Sequence, residues 1–281
     1  MRRVVHSLAT VLIALYIGLI VLAFFSDRLM FQPQASSYRD ATLSAGAKGM
    51  GVSDARVLKL QSSTYDNGRK KAVPETITAI YLPNPSARFT LLFSHGNAED
   101  VGSDLPLLDI YRQAGFAVFA YDYRGYGTSE GRATETGVYA DAEAAYASLT
   151  QELHVPPKQI ISMGRSLGSA AAIHIAVTHP TAGLVIEAPF LSAFRVLTRV
   201  QLLPWDKFNN ASKIGQVRVP VLVIQGDADE VVPFWHGQRI FELANEPKRS
   251  LWVHGAHHND VLFVGTSQYL NTLREFAKSL D

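Results

Sequence analysis

The chain has 281 residues, of which 47% are hydrophobic, 26 are basic, 25 are acidic and none is cysteine. Its length suits one large α/β domain or two small ones. The balanced charge gives no reason to expect a nucleic-acid partner, and the absence of cysteine excludes disulfides, thiol catalysis and cysteine-bound metals.

The N-terminus predicts a membrane anchor over residues 1–30. Arg2 and Arg3 precede an uncharged apolar run, Leu8–Phe25, which as a helix would be about 27 Å long, close to the thickness of a bilayer's hydrocarbon core. No polar, turn-prone segment ends the run, so we expect an uncleaved anchor. The alternative is a signal peptide, whose cleavage would leave a secreted protein. The positive-inside rule predicts a single-pass protein with its N-terminus in the cytoplasm and its C-terminal domain outside, in the periplasm if the protein is bacterial.

The next segment, residues 31–53, reads as a polar connector to one domain over residues 54–281. In that domain, apolar residues alternate with polar ones at 57–60 and 76–82. The segment Asp66–Lys71 between them is typical of a turn. The two runs therefore predict an antiparallel hairpin.

From residue 90 onwards, short apolar strands alternate with helices. Continuous apolar strands separated by helices predict a mostly parallel sheet with helices on both faces. We expect strands at Leu91–Ser94, Ala117–Tyr121, Ile160–Gly164, Leu184–Glu187, Val221–Gln225 and Leu251–Val253, and helices near 104–114, 134–153, 166–178, 235–245 and 267–280.

The segment 163–169 predicts a nucleophilic serine on a sharp turn between a strand and a helix. Gly164 and Gly168 leave room for a strained backbone at Ser166, and small helix-forming residues follow. This is the G-x-S-x-G pattern of serine hydrolases, in which the helix directs backbone N–H groups at a developing oxyanion. The same spacing surrounds Ser129, but in a polar, glycine-rich loop with no helix starting at the serine. We therefore assign the nucleophile to Ser166.

Residues 190–210 interrupt the alternation with an insertion rich in large apolar side chains. One interpretation is a surface excursion that packs on the core. The other is a small cap over the active site, which would supply an apolar pocket for an acyl chain.

The serine hydroxyl needs a base within hydrogen-bond reach. In hydrolases with this elbow, an acid and then a histidine follow the serine along the chain, each after a strand. Asp227 and Asp229 follow one predicted strand, and His257 and His258 follow the next. Asp229 is the predicted acid because it lies further into its loop, where a carboxylate can turn towards the histidine. Spacing alone leaves His257 and His258 open.

Two backbone N–H groups are candidates for the oxyanion hole. One is the N–H of Leu167, directly after the serine. The other is the N–H of Asn97, in a loop after a strand, where Gly96 lets the backbone approach closely. No H-x-x-E-H or paired-carboxylate spacing occurs, so we expect no metal site and no cofactor.

Together these segments resemble the α/β-hydrolase superfamily over roughly residues 55–280. More narrowly, they resemble its membrane-associated branch, which contains protein depalmitoylases and their bacterial relatives. The resemblance implies an α/β-hydrolase fold with Ser166 as nucleophile, Asp229 as acid, His258 as base and a structural role for the Asp122 loop. The matching stretches are Leu91–Ala98, Tyr121–Gly127, Gly164–Gly168, Asp227–Val231, Leu251–Val253 with Gly255, Ala256 and His258–Asp260, and Ser267–Leu270.

Two features depart from that branch. His257 stands where the family usually has a small residue. An apolar N-terminal helix replaces the lipidated cysteine cluster of the eukaryotic depalmitoylases. Because a domain outside the cytoplasm would not meet cytosolic palmitoyl-proteins, the fold and the catalytic residues carry over better than the substrate.

We therefore expect a serine hydrolase that cleaves carboxylic esters or thioesters at a membrane surface. Its substrate would be a small molecule, a lipid or an acylated protein. A serine peptidase of the same fold is the first alternative, although such peptidases usually carry a larger cap or propeller domain. A catalytically silent membrane-bound binding protein is the second, and a C–C lyase or haloperoxidase also fits the fold, because fold does not determine function.

Overall fold

The structure is a computed structural model that describes residues 13–20, 27–65, 72–199 and 205–280. Its centre is an eight-stranded sheet with the strand order β1-β2-β4-β3-β5-β6-β7-β8. The strands are β1 (Arg56–Tyr65), β2 (Ala72–Leu82), β3 (Thr90–Ser94), β4 (Ala117–Tyr121), β5 (Ile160–Arg165), β6 (Gly183–Glu187), β7 (Val221–Gly226) and β8 (Lys248–Val253).

The sheet is mostly parallel. The pairs β1–β2 and β2–β4 are antiparallel, and every other neighbouring pair is parallel. All residues of β3, β4 and β6 are buried, as is typical of parallel strands covered on both faces. The predicted parallel sheet and its antiparallel hairpin are confirmed.

Helices cover both faces of this sheet. They are α1 (Asp27–Met30), α2 (Asp40–Gly49), α3 (Leu105–Gln113), α4 (Glu135–Ala147), α5 (Gly168–Thr178), α6 (Ala193–Thr198), α7 (Asn210–Lys213), α8 (Trp235–Leu243), α9 (Val261–Val264) and α10 (Thr266–Lys278).

The two faces form separate cores because successive side chains of a strand point to opposite sides. On one face, α2, α3 and α10 pack against strand residues such as Leu91 and Phe93. On the other face, α4 and α5 pack against residues such as Leu92, and α8 packs beside α5 against β6 and β7. The predicted helices on both faces are confirmed.

The predicted connector contains a helix for which sequence analysis assigned no element. Helix α2 buries Leu43 and Ala47, which lie one helical turn apart and are 1% and 0% exposed. Tyr38, just before this helix, is also buried. Small and polar residues fill the other positions, so the apolar stripe is too narrow to stand out in the sequence.

Most of the predicted anchor lies outside the described residues, which omit 1–12 and 21–26. Residues 13–20 are helical. Within the described ranges, no helix combines the length and the apolar character needed to cross a membrane. The predicted turn at 66–71 and residues 200–204 of the insertion are also outside the described part.

The packing of α2 predicts that Leu43→Ala destabilises the protein. The leucine is 1% exposed, and a buried Leu→Ala change costs about 2–5 kcal/mol of unfolding free energy. Met50→Ala, at the exposed end of the same helix, is the matched control and should stay within about 0.5 kcal/mol of wild type. Urea denaturation measures both, and equal effects of the two variants would show that α2 does not pack as described.

Candidate active site

Ser166 lies on a turn between the end of β5 and the start of α5. Its φ of 51° is in the left-handed region, which side chains other than glycine rarely adopt. A Cβ on Gly164 would lie 2.1 Å from the carbonyl oxygen of Gly168, and a Cβ on Gly168 would lie 2.0 Å from the carbonyl oxygen of Ser94. Both positions therefore need glycine, and the tight packing holds the serine in its strained conformation.

The structure brings Ser166, His258 and Asp229 into one chain of hydrogen bonds. His258 Nε2 lies 3.0 Å from Ser166 Oγ, and His258 Nδ1 lies 2.9 Å from Asp229 Oδ2. The other oxygen of Asp229 accepts hydrogen bonds from the backbone N–H groups of Val231 and Val232 at 2.9 and 2.8 Å. Both Asp229 and His258 are 7% exposed. Buried in this way, the carboxylate is oriented by the loop that carries it.

The alternative acid and base bind other partners. Asp227 accepts a hydrogen bond from the backbone N–H of Gly255 and lies 2.7 Å from His254 Nδ1. The His257 side chain is 57% exposed, and its Nδ1 lies 2.8 Å from Glu230 Oε2. The hydrogen bond that His257 donates to the Glu230 carboxylate raises the pKa of His257. The structure therefore brings neither Asp227 nor His257 to Ser166.

The second serine that fits the spacing has a structural environment. Ser129 Oγ accepts a hydrogen bond from the backbone N–H of Thr78 at 2.9 Å and donates one to the carbonyl oxygen of Asp122 at 3.1 Å. These bonds tie its loop to strand β2. The Asp122 carboxylate accepts from the Tyr38 hydroxyl at 2.5 Å and from the backbone N–H of Val101 at 2.8 Å, and thereby holds three segments together.

The two predicted oxyanion donors lie on adjacent segments. Asn97 follows β3, Leu167 follows β5, and these two strands pair in parallel. In the described part of the chain, neither backbone N–H donates a hydrogen bond to another backbone or side-chain group. Both N–H groups are therefore free to bind an oxyanion.

The Asn97 side chain makes contacts that sequence analysis did not predict. Its Nδ2 donates to the carbonyl oxygen of Met30 at 2.7 Å. Its Oδ1 accepts from the backbone N–H of Gln32 at 3.2 Å and from the Tyr126 hydroxyl at 2.7 Å. The segment around Met30 is thus fastened to the loop that carries a candidate oxyanion donor.

An open cleft of ≈ 400 Å³ adjoins Ser166. Its wall is largely apolar and comes from six separated parts of the chain. The insertion contributes to it, but the described part of that insertion forms only the short helix α6 before α7 begins at its last residue, Asn210. The lining residues include Met30, Gln32, Leu167, Phe190, Ala193, Val196, Val231 and Val232.

Buried and partly buried charges surround the strand end that precedes the serine. The guanidinium of Arg165 forms an ion pair with Glu99, and its Nη2 lies 3.5 Å from Asp104 Oδ1. Burial and the nearby charge of Glu99 raise the pKa of Asp104 to about 7, although Arg165 opposes the shift. In the described ranges, no group of three or more side chains is arranged to hold a metal ion.

Comparison with known proteins identifies the class of this site. The sequence model of the family described as serine aminopeptidase, S33, matches residues 85–212. The Pyrococcus furiosus esterase Pf2001 superimposes with a TM-score of 0.70 at 16% identity, covering 89% of this chain and 98% of that one, which is a likeness of fold alone. The predicted class, an α/β-hydrolase superfamily enzyme of the serine hydrolase type, is confirmed.

Two vertebrate relatives define the family within that class. Human alpha/beta hydrolase domain-containing protein 17B is 39% identical over 196 residues, which cover 69% of this chain and 67% of that protein. Mouse alpha/beta hydrolase domain-containing protein 17C is 39% identical over 196 residues, which cover 68% of this chain and 60% of that protein. The chain belongs to the family of alpha/beta hydrolase domain-containing protein 17.

Sequence reasoning also missed the ion pair of Arg165 with Glu99, although a signal for it was present. Arg165 ends an apolar strand directly before the serine, and a buried arginine requires an anionic partner. Glu99 lies two residues after Asn97 in the facing loop. The charge of Arg165 and the position of Glu99 could therefore have suggested the ion pair.

The raised pKa of Asp104 predicts a pH-dependent effect of Asp104→Asn. Between the ordinary value of 3.8 and the folded value of about 7, Asp104 keeps a proton in the folded protein that it has lost in the unfolded chain, so its contribution to wild-type stability falls as pH rises through this window. The variant lacks that loss. Its unfolding free energy relative to wild type should therefore increase between about pH 4 and about pH 8, as measured by urea denaturation. A difference that does not change with pH would contradict the assignment.

Proposed function

We propose that this serine hydrolase cleaves carboxylic esters or thioesters through Ser166, His258 and Asp229. The observation that carries the proposal is the chain of hydrogen bonds at 3.0 and 2.9 Å from Ser166 through His258 to Asp229. That chain lies on a strained strand-to-helix turn beside an apolar cleft. A serine, a base and an orienting acid in this arrangement are the requirements of acyl transfer.

In the first half-reaction, Ser166 Oγ attacks the acyl carbonyl carbon while His258 Nε2 takes the hydroxyl proton. The carbonyl π electrons move to oxygen, and the N–H groups of Asn97 and Leu167 stabilise the oxyanion. The intermediate collapses, the bond to the alcohol or thiol breaks, and the leaving group takes the proton from His258. The product of this half is an acyl ester on Ser166.

In the second half-reaction, water gives a proton to His258 and attacks the acyl carbon. The new tetrahedral intermediate expels Ser166 Oγ, which recovers its proton from His258, and the carboxylic acid leaves. Throughout, Asp229 accepts the hydrogen bond from His258 Nδ1, which holds the imidazole in the tautomer that leaves Nε2 free to act as base.

The lining of the cleft indicates that the enzyme recognises an apolar acyl group of its substrate. Leu167, Phe190 and Val196 line it, and apolar walls with few polar groups bind hydrocarbon chains. Phe190, Ala193 and Val196 belong to the insertion at 190–210, which supports its interpretation as a small cap. Such a pocket accepts an acyl group from a small molecule, a lipid or an acylated protein.

A peptidase is the second candidate, since the matched family is described as serine aminopeptidase. An aminopeptidase must bind the free ammonium group of its substrate, which calls for an available carboxylate beside the serine. Among the described residues that line the cleft, Glu99 is the only acidic one, and it is paired with Arg165. The cleft therefore supports ester cleavage better than release of an amino-terminal residue.

The sequence also supports a membrane location for this activity. The uncharged run Leu8–Phe25 would end two residues before α1, and Met30, the last residue of α1, lines the cleft. An anchor there would hold the cleft near the bilayer surface, with the N-terminus in the cytoplasm and the catalytic domain outside. In the alternative, the signal peptide is removed and the domain is secreted.

The proposed catalytic residues predict a pattern of labelling by a fluorescent fluorophosphonate, which reacts only with an activated serine. Ser166→Ala and His258→Ala should abolish labelling and lower hydrolysis of p-nitrophenyl esters by at least about 10³-fold, because the nucleophile or its base is lost. The matched controls Ser129→Ala and His257→Ala should keep both activities.

Full ester turnover in purified Ser166→Ala would reject the proposed mechanism. If folded wild-type protein neither reacts with the fluorophosphonate nor hydrolyses any p-nitrophenyl ester, the interpretation as a catalytically silent binding protein is favoured. Turnover of aminoacyl p-nitroanilides well above that of esters would favour the peptidase.

The proposed anchor predicts that the full chain, expressed in a bacterium, stays in the membrane pellet after carbonate extraction. A chain that starts at Asp27 should be released, because it lacks the apolar run. Protease added outside intact spheroplasts should digest the domain of the full chain. Complete protection of the domain, with digestion restored after lysis, would place it in the cytoplasm instead.

A further inference from the structure

The proposed oxyanion hole is assembled from two segments that are distant in sequence. Asn97 lies in the loop after β3, and Leu167 lies in the turn after β5. An oxyanion gains most when both donors lie about 2.7–3.1 Å from it. The rate of acyl transfer therefore depends on how the loop that carries Asn97 is held relative to the turn that carries Leu167.

A single carboxylate connects the two segments. Glu99 Oε2 accepts a hydrogen bond from the backbone N–H of Gly96 at 2.7 Å, and its other oxygen, Oε1, pairs with the guanidinium of Arg165. Gly96 directly precedes Asn97, and Arg165 directly precedes Ser166. Each end of the bridge is thus one residue away from a reacting or stabilising group.

From these contacts we propose that the Glu99–Arg165 ion pair positions the oxyanion hole by holding the Asn97 loop at a fixed separation from the Ser166 turn. The proposal rests on the hydrolase mechanism proposed above. Neither side chain contacts the acyl group in that mechanism, so both are positioning residues.

Partial burial strengthens the attraction between Glu99 and Arg165. The Glu99 and Arg165 side chains are 21% and 13% exposed, and ion pairs shielded from water are screened less by solvent and salt. Burial by itself would raise the pKa of Glu99, but the charge and hydrogen bond of Arg165 outweigh it and the pKa of Glu99 is lowered. The carboxylate is therefore ionised at neutral pH and available to both partners.

The local packing allows the bridge little freedom. A Cβ on Gly96 would lie 2.8 Å from Glu99 Oε2, so the carboxylate lies close against the loop backbone and leaves no room for a side chain there. Arg165 is further constrained by Asp104, whose Oδ1 is 3.5 Å from the same Nη2 that pairs with Glu99. A planar guanidinium can face two carboxylates in fixed directions, whereas a lysine ammonium holds neither direction.

The test measures steady-state kinetics of the full chain in detergent, with a short p-nitrophenyl ester, for Glu99→Gln, Arg165→Lys and Arg165→Met. Removing an oxyanion donor lowers kcat by about 10²–10³-fold, and a displaced donor should cost less, about 10- to 100-fold, with KM changed by less than about threefold. An alkyl trifluoromethyl ketone, which forms a tetrahedral oxyanion on the serine, should lose affinity by the same factor as kcat/KM. The matched control is Arg112→Lys, which alters another partly buried ion pair, with Asp109 at 2.8 Å, and should leave kcat unchanged.

A double variant, Glu99→Gln with Arg165→Met, tests whether the two residues act as one unit. Its kcat should equal the lower of the two values measured for Glu99→Gln and Arg165→Met alone, because either single change already breaks the bridge. Additive losses, or unchanged kcat in folded single variants, would overturn the proposal. If Arg165→Met does not fold, Glu99→Gln and Arg165→Lys decide, since the first is isosteric and the second keeps the charge.

Ser166→Ala in the same assay separates two failures. If that variant keeps wild-type turnover, the hydrolase mechanism is rejected and this proposal with it. If it loses turnover while the Glu99 and Arg165 variants keep normal kcat and normal ketone affinity, only the positioning role is rejected.

Discussion

The close backbone contact between the start of α5 and the loop after β3 determines the geometry of the whole site. Gly168 lies so close to the carbonyl oxygen of Ser94 that any side chain at position 168 would prevent the contact. The same contact brings the N–H of Leu167 beside the Asn97 loop and leaves Ser166 at a positive φ. A larger residue at position 168 would separate the two segments. The backbone N–H of Gly96 and the guanidinium of Arg165 would then lie too far apart for the carboxylate of Glu99 to bind both.

The parts of the fold that could be predicted from the sequence are those determined by local pattern. Strands β3 and β4 are short apolar runs whose observed limits differ from the predicted ones by at most one residue, whereas β8 begins three residues before its predicted start. The Ser166 turn was predictable because strain demands glycines at fixed spacing. Helix α2 was not, since Leu43 and Ala47 are buried in a core that distant segments, among them α3 and β4, build together. The contacts of the Asn97 side chain likewise join segments whose proximity no local pattern shows.

The choice between neighbouring candidate residues illustrates the same boundary. Asp227 and Asp229 both follow β7, but only Asp229 accepts hydrogen bonds from the N–H groups of Val231 and Val232, which turn its other oxygen towards His258. His257 and His258 are adjacent, so the backbone directs them to opposite sides: one is buried against Ser166 and the other pairs with Glu230 near solvent. Position in the loop favoured Asp229 over Asp227, but spacing along the chain could not separate His257 from His258, because only the orientation of their side chains distinguishes them.

The segment Asp27–Gln32 follows the predicted anchor and packs against residues of the candidate active site, which a simple linker would not do. Asp27 pairs with Lys207 at 2.6 Å, and Phe31 packs edge-on against Phe208. The Asn97 side chain binds the carbonyl oxygen of Met30 and the N–H of Gln32. Because Asn97 recognises backbone groups, the segment must be present and correctly placed, whatever its side chains. A chain cut beyond Gln32 would lose part of the cleft wall and the support of the Asn97 loop together, so loss of activity in such a truncation would not by itself implicate the membrane.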